Sequence, residues 1–144
     1  MVGILITGHG NFPTGVLSAV NLVAGNPGNV YAVDFVEGMS AEELKEKLQA
    51  AIAAIPSEEV LVMADLAGGT PFRTAVELKM VMTEKAIRVI AGANMPALME
   101  AALSAEIMDL AELAEDVAQT AVEGVVDWDA QTDDSEEPDF EDGL

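Results

Sequence analysis

At 144 residues, 51% of them hydrophobic, the chain is long enough for one domain with a buried core. It contains no cysteine, which excludes disulfides, zinc–thiolate centres and thiol nucleophiles, and its net charge of −20 disfavours nucleic acid and anionic membranes as partners. No apolar run is long enough to cross a bilayer, and the N-terminus lacks the basic segment of a signal peptide, so we expect a cytoplasmic protein.

Short apolar runs alternate with helical patterns along most of the chain. The apolar runs, which predict buried strands, are Val2–Thr7, Val30–Phe35, Val60–Ala64 and Ile87–Ala91. The helical patterns are Thr14–Ala24, Ala41–Ile55, Pro71–Met82, Pro96–Leu103 and Ile107–Glu123. This alternation predicts right-handed βαβ units and an α/β fold with a doubly wound, mainly parallel sheet. We expect the strand order 2-1-3-4, which makes the first and third strands neighbours.

Several helix boundaries carry recognisable signals. Ser40 and Glu43 have the spacing of a capping box, and Thr70 followed by Pro71 predicts an N-cap hydroxyl with proline at the first helical position. The last helix is expected to end at Gly124 and to bury one apolar face, formed by Ile107, Leu110, Leu113, Val117 and Ala121.

The end of the chain differs in composition from the rest. From Asp127 to Leu144 there are nine acidic residues and no basic one. Such a segment is typical of a solvated, disordered tail. We therefore expect a domain over residues 1–128 and an acidic tail over residues 129–144.

The only histidine, His9, ends the first apolar run, and Asp65 directly follows the third. Ligands bind at the carboxyl ends of strands in such sheets, and adjacent strands lie about 4.8 Å apart, so these two side chains are expected to touch. A carboxylate that accepts the proton of one imidazole nitrogen leaves the other free as a nucleophile. A structural histidine and a loop-capping aspartate are the alternative interpretation.

The segment from Asp65 to Phe72 is rich in glycine and leads into a helix. Gly68 and Gly69 allow close backbone approach, and the helix N-terminus offers N–H groups to an anion. The lysine of a P-loop is missing, so one phosphoryl group fits better than a nucleotide. An ordinary strand-to-helix turn is the alternative. With a nucleophilic imidazole nearby, the pattern favours phosphoryl carriage through phosphohistidine, without a metal or cofactor.

Four sequence blocks resemble the enzyme IIA components of the mannose family of the bacterial phosphoenolpyruvate-dependent sugar phosphotransferase system. The resemblance covers residues 1 to about 126. The blocks are Thr7-Gly8-His9-Gly10, Asp34-Phe35-Val36-Glu37-Gly38, Asp65-Leu66-Ala67-Gly68-Gly69-Thr70-Pro71-Phe72 and Ala91-Gly92-Ala93-Asn94-Met95-Pro96.

The resemblance implies a role for each matching position. His9 would be phosphorylated on Nε2 by the phosphocarrier protein HPr, and Asp65 would hold the Nδ1 proton. The phosphoryl oxygens would be received at the helix start, and two further residues would border the crevice between the first and third strands. These positions are Gly69, Thr70 and Phe72 for the phosphate, and Phe12 and Asn94 for the crevice.

The resemblance also implies partners. HPr would donate the phosphoryl group to this free-standing subunit, a IIB subunit would accept it, and the membrane components IIC and IID would be served indirectly. A homodimer is expected, with an antiparallel strand at Val125-Val126-Asp127-Trp128 exchanged between subunits. An edge strand within one chain is the alternative. Arg73 after Pro71-Phe72 favours the branch for N-acetylgalactosamine or galactosamine.

Three other functions fit parts of the pattern. A similar domain occurs in the phosphotransferase-dependent dihydroxyacetone kinase, where it serves as phosphodonor. Cobalt or sirohydrochlorin chelatases also place Gly-His-Gly after a first strand, but a single histidine counts against them. A phosphorylated regulator would keep His9 without onward transfer to a IIB subunit.

Overall fold

One four-stranded parallel sheet organises the chain, and it has the predicted order β2-β1-β3-β4. The structure, a computed structural model, describes residues 1–131. The strands are β1 (Gly3–His9), β2 (Val30–Phe35), β3 (Glu59–Ala64) and β4 (Ala86–Ala91). The helices are α1 (Phe12–Ala24), α2 (Ala41–Ala54), α3 (Thr70–Val81), α4 (Met95–Ser104), α5 (Leu110–Glu123) and α6 (Trp128–Gln131).

Helices cover both faces of the sheet, as the doubly wound prediction requires. Alternate side chains of a strand point to opposite faces. Ile4 and Ile6 of β1 belong to the core cluster under α1, α4 and α5, whereas Leu5 belongs to the cluster under α2 and α3. Because both faces are buried at the centre of the sheet, β1 and β3 are apolar along most of their length rather than alternating. None of the helices that residues 1–131 form is both long and apolar enough to cross a bilayer.

The start of α3 differs from the prediction by one residue. Thr70 is the first helical residue, and Gly69 occupies the N-cap position with φ 96° and ψ 177°. The expected N-cap role of Thr70 is therefore wrong. Proline is tolerated in this first turn because its missing N–H would have no intrahelical acceptor. Among residues 1–131 no side chain caps this helix end, so its N–H groups stay available.

Capping at the starts of α2 and α5 also differs from the expectation. Ser40 accepts the backbone N–H of Glu43 at 3.1 Å, but Glu43 accepts the Ser40 hydroxyl instead of its backbone N–H, so only half of the predicted box forms. A complete capping box joins Asp109 and Glu112 at the start of α5. This box begins the helix at Leu110, which leaves Ile107 81% exposed rather than on the buried face.

The predicted strand at residues 125–128 is absent from the single chain. Residues 125–127 have no regular structure, and Trp128 begins α6. A strand forms only by hydrogen bonding to a sheet edge, and this segment pairs with neither edge strand, β2 or β4, of its own chain. Of the predicted tail, residues 129–131 lie in α6, and residues 132–144 lie outside the described residues.

Two carboxyl groups, Glu100 on α4 and Asp116 on α5, interact across the contact between these two helices. Hydrogen bonding to Asp116, burial and the negative charge of Asp116 raise the pKa of Glu100, against an opposing hydrogen bond with Ser104. One oxygen of Asp116, Oδ2, is buried without a hydrogen-bond donor. Two carboxyl groups this close share a proton more readily than they both ionise.

Replacing one member of this pair tests its effect on stability. A pKa raised by folding contributes stability that is complete below the ordinary value of 4.5 and is lost as pH rises through the folded value. We expect Asp116→Asn to flatten this dependence and to stabilise the protein by about 0.5 kcal/mol or less at pH 7, because the repulsion is removed and a donor is added, while solvent screens a pair that is partly exposed. Urea unfolding between pH 4 and pH 8 measures both effects. An unchanged pH dependence would contradict the assignment.

Candidate functional site

The carboxylate of Asp65 contacts both the backbone and the ring of His9. Its Oδ2 lies 2.8 Å from His9 Nδ1 and 2.9 Å from the backbone nitrogen of His9, while Oδ1 accepts the N–H of Leu66 at 2.8 Å. The predicted contact between the ends of β1 and β3 is therefore confirmed. The His9 side chain is 47% exposed and that of Asp65 is 13% exposed. The imidazole is therefore accessible to solvent, whereas the carboxylate that holds it is largely buried.

This geometry assigns the imidazole tautomer. An ionised carboxylate only accepts hydrogen bonds, so the proton of the Nδ1 bond sits on Nδ1, and in the neutral imidazole Nε2 keeps its lone pair. Burial raises the pKa of the Asp65 carboxyl, but the hydrogen bonds from His9 and Leu66, and the charge that His9 carries when it is protonated, outweigh burial, and the net pKa is lowered. Asp65 is therefore ionised at neutral pH.

Gly8 makes room for this contact. A Cβ at Gly8 would lie 2.8 Å from the carboxyl carbon of Asp65, closer than atoms can pack. The role of this glycine was missed from the sequence, although a glycine inside an apolar strand often marks the close approach of another group.

Gly69 likewise makes room for the Nε2 edge of the His9 imidazole. A Cβ there would lie 2.8 Å from both Nε2 and Cε1 of His9, so the start of α3 directly adjoins the free nitrogen. The N–H groups of Thr70 and Phe72 belong to the first turn, which has no intrahelical acceptors for them. Together with the positive end of the helix dipole, they form a site suited to an anion bound at Nε2.

The end of β2 approaches His9 from the other side. Phe35 is paired with His9 in the register, its carbonyl accepts the N–H of Gly10 at 2.7 Å, and its ring lies 6.1 Å from the imidazole at 67°. Asp34 accepts the N–H and hydroxyl of Thr14 and so ties the start of α1 to the sheet. Phe35 was not predicted as a site residue. The signal that could have identified it is its position at the end of the second strand, as His9 is at the end of the first.

The two residues predicted to border the crevice have structural contacts. Phe12 begins α1 and packs against the core cluster under that helix, and the aromatic ring in contact with His9 is that of Phe35. Asn94 caps α4 by accepting the N–H of Ala97, and its amide donates to the carbonyl of Ala121 on α5. Its side chain therefore joins two helices, which was not expected. Within residues 1–131 there is no cluster of three or more metal-ligating side chains.

Comparison with known proteins agrees with this arrangement. A family model described as the fructose IIA component of the phosphotransferase system matches residues 3–118. The fructose-specific EIIA component of Bacillus subtilis is 33% identical over 114 residues, covering 78% of this chain and 77% of that protein. The sorbose-specific EIIA component of Lacticaseibacillus casei is 31% identical over 110 residues, covering 76% of this chain and 78% of that protein.

A solved structure extends the similarity to three dimensions. The crystal structure of the phosphotransferase system component EIIA from Streptococcus agalactiae superposes with a TM-score of 0.84 at 39% identity, covering 90% of this chain and 99% of that chain. The chain belongs to the mannose-type enzyme IIA family. It is a phosphoryl carrier of a sugar phosphotransferase system, and membership of this family does not favour the chelatase alternative. The amino-sugar branch suggested by Arg73 stays a prediction.

We expect Gly69→Ala to block the reactive nitrogen. The new methyl group would collide with the imidazole, and φ 96° with ψ 177° is accessible almost only to glycine, so stability should also fall by about 1–3 kcal/mol. Phosphoryl uptake and urea unfolding measure the two effects. Gly25→Ala is the control, because Gly25 has φ 72° and no atom within 4 Å of a Cβ. Similar uptake by both variants would contradict the steric role.

We expect Asp65→Asn to lower the rate of phosphoryl uptake by about 10²-fold or more, because an amide can donate to Nδ1 and favour the tautomer with a protonated Nε2. The nitrogen chemical shifts of His9 report the tautomer.

Asp65→Asn should also change the pH dependence of the free energy of unfolding, in the opposite sense to the change expected for the Glu100–Asp116 pair. A lowered folded pKa contributes stability that is present above the ordinary value of 3.8 and is lost as pH falls through the folded value. The stability difference from wild type should therefore shrink on strong acidification. A constant difference would contradict the ionised state.

Proposed function

We propose that His9 carries the phosphoryl group on Nε2, accepts it from phosphorylated HPr and passes it to a IIB subunit. The observation that supports this most directly is the pair of contacts on the imidazole. Asp65 holds the Nδ1 edge at 2.8 Å, and the backbone of Gly69 adjoins the Nε2 edge. The ring is thus oriented with its lone pair toward the N-terminus of α3.

The transfer needs no external base. The Nε2 lone pair attacks phosphorus, the Nε2–P bond forms, and the bond from phosphorus to the donor nitrogen breaks with its electron pair returning to the donor. The proton on Nδ1 stays in its hydrogen bond with Asp65. The imidazole becomes positively charged as the bond forms, and the ionised Asp65 stabilises that charge at short range.

The start of α3 would stabilise the phosphoryl oxygens. The N–H groups of Thr70 and Phe72, the hydroxyl of Thr70 and the close backbone of Gly69 adjoin the space beside Nε2. Donors that are already oriented stabilise developing charge without reorganising during the reaction. The onward transfer to the IIB subunit would use the same groups, because the Nε2–P bond that formed in the first transfer breaks in the second.

The exposure of His9 suits a protein donor better than an enclosed small substrate. Nearly half of the side chain is accessible, so a phosphohistidine on another protein can reach it in line. HPr and the IIB subunit must approach the same nitrogen, and their docking surfaces on this protein therefore overlap. The membrane components IIC and IID would depend on this protein only indirectly, through the IIB subunit. We propose that the protein acts in the cytoplasm, where it would meet HPr and the IIB subunit.

We also propose that the protein forms a homodimer. Val122, Val125 and Val126 are exposed apolar side chains close together at the end of α5 and just beyond it. A second copy that covers them would remove apolar surface from water, which is favourable for association.

Incubation with phosphoenolpyruvate, enzyme I and HPr tests the proposed carrier. We expect one acid-labile phosphate per chain, recovered as phosphohistidine, and because the chain has a single histidine, phosphohistidine identifies His9. His9→Ala should take up none while still unfolding in one cooperative urea transition, since nearly half of the side chain is exposed. Full uptake by His9→Ala would refute the assignment. Adding a IIB subunit to the phosphorylated protein tests onward transfer, and retention of the phosphate would favour the regulatory alternative.

A further inference from the structure

The end of β2 holds the segment around His9 from the side opposite Asp65. In the sheet, β1 lies between β2 and β3, so the two neighbouring strands flank His9. The Gly10 N–H donates to the Phe35 carbonyl at 2.7 Å, and Thr14 donates to Asp34 through its N–H at 2.9 Å and its hydroxyl at 2.7 Å. The turn between β1 and α1 is thus fixed to β2 at both of its ends.

The Phe35 side chain adds a contact to the imidazole itself. The two rings meet in a T-shaped arrangement with centroids 6.1 Å apart and planes at 67°. This is a preferred geometry for aromatic pairs. The Phe35 ring also packs against the buried cluster under α2 and α3, which includes Leu44 and Val62. Because that cluster holds the ring, Phe35 can restrict the motion of His9.

The reactive nitrogen needs such a restriction. The hydrogen bond to Asp65 fixes the imidazole at Nδ1, and Nε2, on the far side of the ring, moves most when the ring rocks about that point. In-line attack depends on alignment, and a displacement of about 1 Å can lower a rate about 10²-fold. The backbone of Gly69 limits movement at Nε2, and the ring of Phe35 supplies a second boundary.

We propose that Phe35 is a positioning residue, which holds the His9 imidazole so that Nε2 stays directed at the start of α3. Phe35 does not contact the phosphoryl group in this proposal and acts only through His9. Its effect on the transfer rate rests on the proposed function of His9, whereas its effect on the ring is a property of the unphosphorylated protein.

Phe35→Leu, compared with Tyr31→Leu, tests the effect on transfer. Tyr31 is also a half-buried aromatic residue on the same face of β2, but it is paired with Leu5, far from His9. We expect Phe35→Leu to lower the maximal rate of phosphoryl uptake about 10-fold with the half-saturating concentration of phosphorylated HPr unchanged. Tyr31→Leu should keep the wild-type rate, and Phe35→Tyr should recover most of it because it restores the ring.

Nuclear magnetic resonance of the imidazole tests positioning without any transfer. The chain has one histidine, so its ring signals are unambiguous. We expect Phe35→Leu to shift and broaden the His9 signals, and Phe35→Tyr and Tyr31→Leu to leave them sharp. Unchanged signals together with a wild-type maximal rate would overturn the proposal, as would equal losses in Phe35→Leu and Tyr31→Leu. If wild-type His9 takes up no phosphate, the proposed function fails, and the ring signals alone decide the role of Phe35.

Discussion

The hydrogen bonds between Asp65 and His9 join two strands that are 56 residues apart in the chain, and the site depends on them. The carboxylate accepts the backbone N–H and the ring N–H of His9, so it fixes the strand end and the tautomer together. A partner that instead donated a hydrogen bond to Nδ1 would leave the neutral imidazole protonated on Nε2, without a lone pair there. The same hydrogen bonds help to lower the pKa of Asp65. The contact that joins the ends of β1 and β3 therefore also keeps the Asp65 carboxyl ionised.

Two glycines allow the site to be this close-packed. Gly8 admits the Asp65 carboxylate on one side of β1, and Gly69 admits the imidazole at the N-terminus of α3. In both places a single methyl group would occupy the space of a functional atom. The glycine-rich loop is therefore a steric requirement of the histidine as well as a source of N–H donors. Both requirements are met where neighbouring parallel strands end, which is where this fold class leaves a crevice.

The sequence predicted the framework well for a physical reason. Apolar runs of strand length separated by amphipathic segments bury both faces of a parallel sheet, and few arrangements satisfy that pattern. The contact of His9 with Asp65 followed from topology once the strand order was inferred. Helix ends were harder, because competing caps differ little in energy. For instance, the apolar pattern of the last helix began at Ile107, before the true start of α5 that Asp109 sets as N-cap.

Contacts between distant side chains were not accessible in the same way. Asn94 lies in a block that resembles the family, but its amide turns inward to cap α4 and to reach α5. The aromatic ring in contact with His9 comes from Phe35, on a neighbouring strand, while Phe12, three residues from the histidine, is partly buried against the core cluster under α1. Proximity in the chain was a poor guide, since the sheet register decides which side chains face each other.

By itself the sequence determined the alternation of strands and helices, the fold class, the histidine and carboxylate at strand ends, and the glycines before a helix. These are properties of local pattern and residue chemistry. The tertiary structure decided which nitrogen of His9 is free, which aromatic ring bounds it, and that residues 125–127 form no strand within one chain. Each of those outcomes depends on atoms brought together by packing and register, and local pattern does not encode such distances.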